Sequence, residues 1–112
     1  MIQEKFSKLM ERQFDRCRTV LNWKASEYAE VGGDRLHNFY LASNLERVTP
    51  EVALLGMMTK HIISIYDMVP NGVNYYSKEM WDEKITDAMN YLILLRAIIE
   101  DGYVEEVVEE CQ

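Results

Sequence analysis

Glu83, Asp87 and Asn90 are spaced by four and three residues. On a helix that spacing puts them on one face, with the two acids only about 40° apart around the axis. The same face continues to Leu94 and Ala97, which are apolar. One stripe thus begins with two acids and a carboxamide and ends in core. Neighbouring carboxylates repel, so ionising both is costly unless a cation sits between them. A divalent ion with oxygen ligands removes that cost. Mg²⁺ typically takes one or two carboxylates, several waters and the phosphate oxygens of a substrate. The plainer reading is a solvated acidic face with Lys78 and Lys84 as ion-pair partners.

Other polar residues break apolar rows in the same way. The row through Cys17, Val20 and Leu21 meets Lys24 and Glu27, with Tyr28 beside them. Unpaired charges on an inward face are costly, so either a ligand compensates them or the helix end is already leaving the core. Asp34, His37 and Asn38 follow the Gly32-Gly33 pair. Asp34 suits a helix N-cap, and a capping carboxylate still has an oxygen free for a metal. His37 and Asn38 could contact a base or a phosphate. Lys60, Ser64 and Asp67 share one side of a third segment, where Lys60 is a reasonable phosphate donor. His61, among Met57, Met58 and Ile62, is read as a core histidine satisfied by hydrogen bonds. No GxSxG, Gly-rich phosphate loop, HExxH or Cys/His cluster occurs. Cys17 lies in an apolar row, which argues for burial rather than nucleophilic use.

The elements that must position these residues are helices. Phe6, Leu9, Met10, Phe14, Cys17, Val20 and Leu21 recur at helical steps, so a first helix is expected from about Gln3 to Ala29, stopped by Gly32-Gly33. Asp34 would cap a short second helix, Arg35 to Leu45. Thr49-Pro50-Glu51 is a start signal for a third, ending near Met68 before Pro70. Ser77 would cap a fourth, Lys78 to Glu100, ended by Asp101-Gly102, with one more short helix possible in Tyr103 to Glu110. The expected fold is all-α: one domain over residues 1–112, four helices packed as an antiparallel bundle. Tyr91 to Leu95, then Ala97 to Ile99, is apolar nearly all round its helix. Such a helix must be covered on several sides, which predicts a second subunit against helix four or helix one.

Composition bounds the partners. The net charge of −7, from 19 acids and 12 basic residues, excludes the basic footprint a nucleic-acid duplex needs. It leaves room for a nucleotide held through divalent cations. The N-terminus has no apolar core of a signal peptide. The longest unbroken apolar run, Tyr91 to Leu95, is too short to span a bilayer. No membrane partner and a cytoplasmic location are therefore expected, with Cys17 a free buried thiol and Cys111 an unpaired tail thiol.

The order of these residues resembles a known family. Lys24-Ala25-Ser26-Glu27-Tyr28, Gly33-Asp34-Arg35-Leu36-His37-Asn38-Phe39, Lys60-His61 and Asp82-Glu83-Lys84-Ile85-Thr86-Asp87-Ala88-Met89-Asn90-Tyr91-Leu92 are similar to the phage and bacterial branch of the MazG-like all-α NTP pyrophosphohydrolases. The resemblance covers about positions 20 to 100. Glu83 to Leu92 resembles the family's ExxD helix, with Asp87 as its Asp. Lys84 stands where the motif has Glu, and Glu83 is the nearest acid. The first acidic motif, ExxE, is not intact; Glu27 and Asp34 are its nearest counterparts. The resemblance implies a homodimer or homotetramer that uses Mg²⁺, with Mn²⁺ as a substitute, to hydrolyse NTPs or dNTPs to the monophosphate and pyrophosphate. On that reading Glu27, Asp34, Glu83 and Asp87 are metal ligands, Glu27 also serves as base, and Lys24, His37, Asn38, Lys60 and Asn90 bind nucleotide. Two other readings remain open. One is a catalytically inactive helical module that binds nucleotide or metal. The other is a phage-type protein-interaction domain.

Overall fold

The computed structural model describes the backbone of residues 1–110 and the side chains of residues 1–103. All of its regular elements are helical. Helix α1 spans Gln3–Lys24, α2 His37–Glu46, α3 Pro50–Met68 and α4 Lys78–Glu110. Three 3₁₀ segments, Ala25–Val31, Val69–Asn71 and Val73–Tyr75, lie in the connections. Helix α3 packs against both α2 and α4, and α1 lies against α4. Cys111, whose thiol was expected to be unpaired, lies outside the described residues.

Local chemistry sets most of the boundaries. The Thr49 hydroxyl accepts from the Val52 N–H at 3.4 Å, and Pro50 opens α3. The Ser77 hydroxyl accepts from the Met80 N–H at 3.1 Å and starts α4. Both are first-turn donors that would otherwise lack a partner. Gly32 and Gly33, each at φ +76°, close the segment after α1, a conformation that only glycine adopts without strain.

Three boundaries differ from expectation. Helix α1 ends at Lys24, and the chain continues as a 3₁₀ segment instead of as α-helix to Ala29. Glu27 falls in this 3₁₀ segment, beyond the end of α1, and is exposed. Helix α2 starts at His37, and Asp34 is not its N-cap. The Asp34 carboxylate instead accepts from the Leu36 N–H at 2.9 Å, closing a side-chain turn ahead of the helix. Helix α4 runs on through Asp101-Gly102 to Glu110. One interior glycine costs a helix only about 1 kcal/mol, and Tyr40 donates to Asp101 at 2.6 Å, tying this part of α4 to α2. That hydrogen bond, with burial and the carboxylate charge adding to it, pushes the Tyr40 pKa up to about 12.

The core is the meeting of α2, α3 and α4. Leu54 is fully buried (0% exposed) against Phe39 and Ile98, with Leu36, Met57, Tyr91, Leu94 and Leu95 around them. Pro50–Asn71 has a mean hydropathy of 1.3, enough by length and composition alone to cross a membrane. No single apolar run reveals this, because the average passes over polar breaks. Only 22% of the apolar window is buried, and Val52, Leu55, Ile63 and Tyr66 remain exposed.

Helix α1 is held more loosely. Only Cys17, a free thiol, is buried on it. Gln13 donates to the buried Thr86 hydroxyl at 2.9 Å, and Arg16 lies 3.7 Å from Asp82. Phe6, Leu9, Met10 and Phe14 remain substantially exposed, as do Leu92 and Ile93 on α4. Among the described residues, the expected all-round cover of these helices is thus not supplied.

Leu54→Ala should lower the unfolding free energy by about 2–5 kcal/mol, the range for truncating a fully buried leucine. Leu45→Ala, at an exposed position, should change it by no more than about 0.5 kcal/mol. Urea denaturation of both variants measures the difference.

Candidate functional site

Where the apolar cluster of α4 runs out, its stripe turns polar. Ile98 and Leu94 belong to the core region; Asn90, Asp87 and Glu83 follow toward the N-terminus of the helix on the same face. Two concavities meet there. A cavity of about 120 Å³ lies among α1, α2, α3 and α4, with Lys24, Tyr28, Arg35, Asn38, Asp87 and Asn90 as its polar lining. A groove of about 540 Å³ runs between α1 and α4, lined by Arg12, Asp15, Arg16, Asp82, Glu83 and Asp87 among others. Asp87 and Val20 border both.

Asn90 is 5% exposed, and among the described residues neither its amide nitrogen nor its carbonyl oxygen has a hydrogen-bond partner. Leaving such a group unsatisfied costs about 1–3 kcal/mol; both atoms have under 1 Å² of accessible surface, so the carboxamide is sealed behind the cavity wall and not open to it. Arg35 carries a second orphan, its Nε. Its Nη1 donates to the Leu21 carbonyl at 2.6 Å, and its guanidinium lies 5.0 Å from the Tyr28 ring centre. The latter distance is within cation–π range. Asn38 donates to the Tyr28 hydroxyl at 3.4 Å. The 3₁₀ segment after α1 and the start of α2 are thus joined at the cavity rim.

His61 was expected to be a satisfied core histidine. It is instead partly buried beside the polar stripe, with Nδ1 3.8 Å from an Asp87 oxygen and its ring 4.9 Å from that of Tyr91. The first distance is a charge contact, too long for a hydrogen bond. Burial lowers the His61 pKa; Asp87 pulls it upward, and Lys60, Lys84 and Lys24 push it down again. Burial likewise raises the Tyr91 pKa, with Asp87 acting in the same direction. The signal that could have found His61 is the one used on α1 and α4. It interrupts the row of Leu54, Met58, Ile65 and Met68 with a polar group.

Not all the expected site residues come together. Lys24, Asn38, Asp87 and Asn90 share the smaller cavity, and Glu83 joins Asp87 in the groove. Lys60 is exposed, with its charge felt at His61. Glu27, Asp34 and His37 line neither concavity. The expected four-acid metal site is therefore not assembled in one chain. Among the described residues no three His, Cys, Asp or Glu side chains are grouped to hold a metal ion. Glu27 is exposed on the 3₁₀ segment, and Asp34 is engaged at the start of α2. Glu83 and Asp87, one turn apart on one groove, still fit the habit of Mg²⁺, which needs only one or two carboxylates when phosphate oxygens and water complete its shell. Arg12, Arg16, Asp82, Tyr28 and Tyr91 were not anticipated. The arginines read as ordinary surface charges in sequence and acquire meaning only by facing α4.

Compared with protein-family models, curated proteins and solved structures, the chain matches none.

The low pKa of His61 gives a testable sign. Below the ordinary histidine value of about 6.5, the unfolded chain takes up a proton that the folded site resists. His61 therefore contributes full stability above that pH and loses it as pH falls toward the folded value. Between pH 7.5 and 5.5 the melting temperature of the parent protein should fall more than that of His61→Gln. Parallel slopes in a thermal-denaturation series would show that His61 is not the group responsible.

Proposed function

We propose that this chain is a metal-dependent nucleoside triphosphate pyrophosphohydrolase of MazG-like type, releasing NMP or dNMP and pyrophosphate. One observation carries the reading: Asp87 lines both a cavity among the four helices and a groove of mixed acids and arginines. A nucleotide has a heterocycle for the first and a charged chain for the second.

Glu83 and Asp87 are the carboxylates that would hold Mg²⁺ or Mn²⁺. When bound, the ion supplies charge neutralisation for the triphosphate and an acidified water. The remaining roles fall to the chain itself. Arg12 and Arg16 offer guanidinium forks suited to phosphate oxygens. Lys24, Lys60 and Lys84 surround His61 with positive charge beside Asp87, offsetting the charge of a bound polyphosphate. Asn38 orients the nucleotide by hydrogen bonds. Glu27 lines neither concavity, so a base role for it in a single chain has no geometric support.

A homodimer or homotetramer is part of the proposal. The chain exposes 8538 Å², against about 6,400 Å² for a compact monomer of its mass. Some of the excess follows from α4, which at 33 residues is about 50 Å long. The rest includes the apolar row of α1. A standard interface buries about 1,200–2,000 Å² in total, an amount this surface can supply. Light scattering should give at least twice the 13.2 kDa chain mass at micromolar concentration. Phe14→Glu should shift it toward one chain.

Lys84, standing where the resembled motif has Glu, favours one alternative specifically, a module that binds nucleotide without turning it over. Pyrophosphate release from a panel of NTPs and dNTPs with Mg²⁺ or Mn²⁺ separates the two. Turnover with at least one substrate, reduced at least about 100-fold in Asp87→Ala, is expected. Binding without product would establish the module, and indifference to every nucleotide would reject both.

A further inference from the structure

Helix α3 carries two apolar faces. Leu54, Met58 and Met68 are buried on the first, which is the core face. Val52, Leu55, Gly56, Thr59, Ile63 and Tyr66 recur at short helical steps. At about 100° per residue they gather within about 100° of arc on the opposite side. All six are exposed, Tyr66 by 75%. This surface is separate from the apolar row of α1, which lies against α4. Beyond it the chain carries no charge from Met68 to Ser77, and Val69, Val73 and Tyr75 in that run are also exposed. The run is held in shape by its own polar groups. Asn71 donates to the Asp67 carbonyl at 3.2 Å and to the Tyr76 hydroxyl at 2.9 Å, and the Trp81 indole donates to the Val73 carbonyl at 2.9 Å. A surface formed in advance loses little freedom on binding.

The pattern of the face selects its occupant. Small residues, Gly56 and Thr59, lie toward its start, and large ones, Ile63 and Tyr66, toward its end. An identical helix laid antiparallel, with the two-fold axis at Ile63, sets Tyr66 of each copy beside Thr59 of the other, large against small. Lys60 and Asp67 lie on one flank of the stripe, about 20° apart in projection. Both are exposed, and neither has an ion-pair partner among the described residues. In such a pair like flanks meet. Lys60 of one copy then stands one residue, about 1.5 Å along the axis, from Asp67 of the other, and the two-fold makes this ion pair twice. Val52 and Leu55 of each copy arrive beyond position 70 of the other, where Val73 and Tyr75 are exposed. A standard interface takes about 600–1,000 Å² from each partner. Four aliphatic side chains at half exposure or more, with a tyrosine at three-quarters, reach roughly the lower end of that range. A bilayer suits the face less well. Helices that lie in a membrane surface carry Lys and Arg opposite their apolar stripe, and opposite this stripe is core.

We propose that the outer face of α3 docks α3 of a second copy, antiparallel about Ile63. This interface is additional to the one on α1, and it does not rest on the nucleotide reading.

The test is cross-linking and sedimentation of the full chain. Cys17 is buried, and a Cys111→Ser background removes the tail thiol. There Ile63→Cys should give a covalent dimer with a short bis-maleimide. Leu55→Cys, whose two copies would lie about 24 Å apart, should not. Phe14→Glu alone should sediment at twice the 13.2 kDa chain mass, and Phe14→Glu with Ile63→Glu at the single mass. Ile63 is exposed, so circular dichroism of that variant should match the parent. Lys60→Asp should weaken the pair about tenfold or more, and adding Asp67→Lys should restore it. Cross-linking at both cysteines or at neither, a Phe14→Glu protein that is a single chain at micromolar concentration, or a charge swap without restoration would overturn the pairing. So would binding of the parent to phosphatidylcholine vesicles that Ile63→Glu abolishes, which would assign the face to a bilayer. None of these readouts involves nucleotide, so the pairing and the hydrolase reading fail separately.

Discussion

The packing of α3 between α2 and α4 is the constraint on which the rest of the molecule depends. Leu54, Phe39 and Ile98 each come from a different one of these helices, and their mutual burial fixes the register of all three. Cores are packed to crystal-like density, so a helix held by such a cluster has little freedom to slide or rotate. That rigidity is transmitted along α4. Once Ile98 and Leu94 are seated, Asn90, Asp87 and Glu83 are delivered to fixed positions about one, two and three turns further toward the helix start.

The site lies at the end of this cluster, where apolar contacts give way to polar ones. Tyr91 marks the transition. It meets Phe39 edge-on at 6.4 Å on the core side and His61 at 4.9 Å on the polar side. Around it the chain accepts features that stability alone would remove: an unpartnered buried carboxamide, an orphaned arginine nitrogen, and a histidine held below its usual pKa. Such groups concentrate at functional sites. The cost is tolerable because the neighbouring cluster is well packed.

Helix α1 plays a different part. It meets α4 through the polar contacts of Gln13 with Thr86 and Arg16 with Asp82, and it leaves the row of Phe6, Leu9, Met10 and Phe14 open. The groove beside those contacts and the exposed row are consequences of the same loose attachment. Tight apolar packing of α1 onto α4 would close the groove that contains Glu83 and Asp87. A second copy covering Phe6, Met10 and Phe14 from outside would bury the row and leave the groove in place.

The sequence by itself determined the helices and most of their ends, because helical period, capping hydroxyls, proline and paired glycines act within a few residues. Thr49, Ser77 and Gly32-Gly33 work as their types require, and the stripe from Glu83 to Leu94 is visible as spacing alone. Tertiary structure decided what those local signals do not encode. The start of α2 depends on Asp34 turning onto Leu36 instead of capping, and α4 continues past Gly102 in company with the contact between Tyr40 and Asp101. Which acids gather was not legible either, since the chain leaves α1 at Lys24 as a 3₁₀ segment on which Glu27 faces solvent. Arg12, Arg16 and Arg35 came to line the two concavities, and His61 lost its place as a satisfied core residue, for one reason. A side chain's partner across helices is set by the packing of distant segments, and no periodicity within one segment records it.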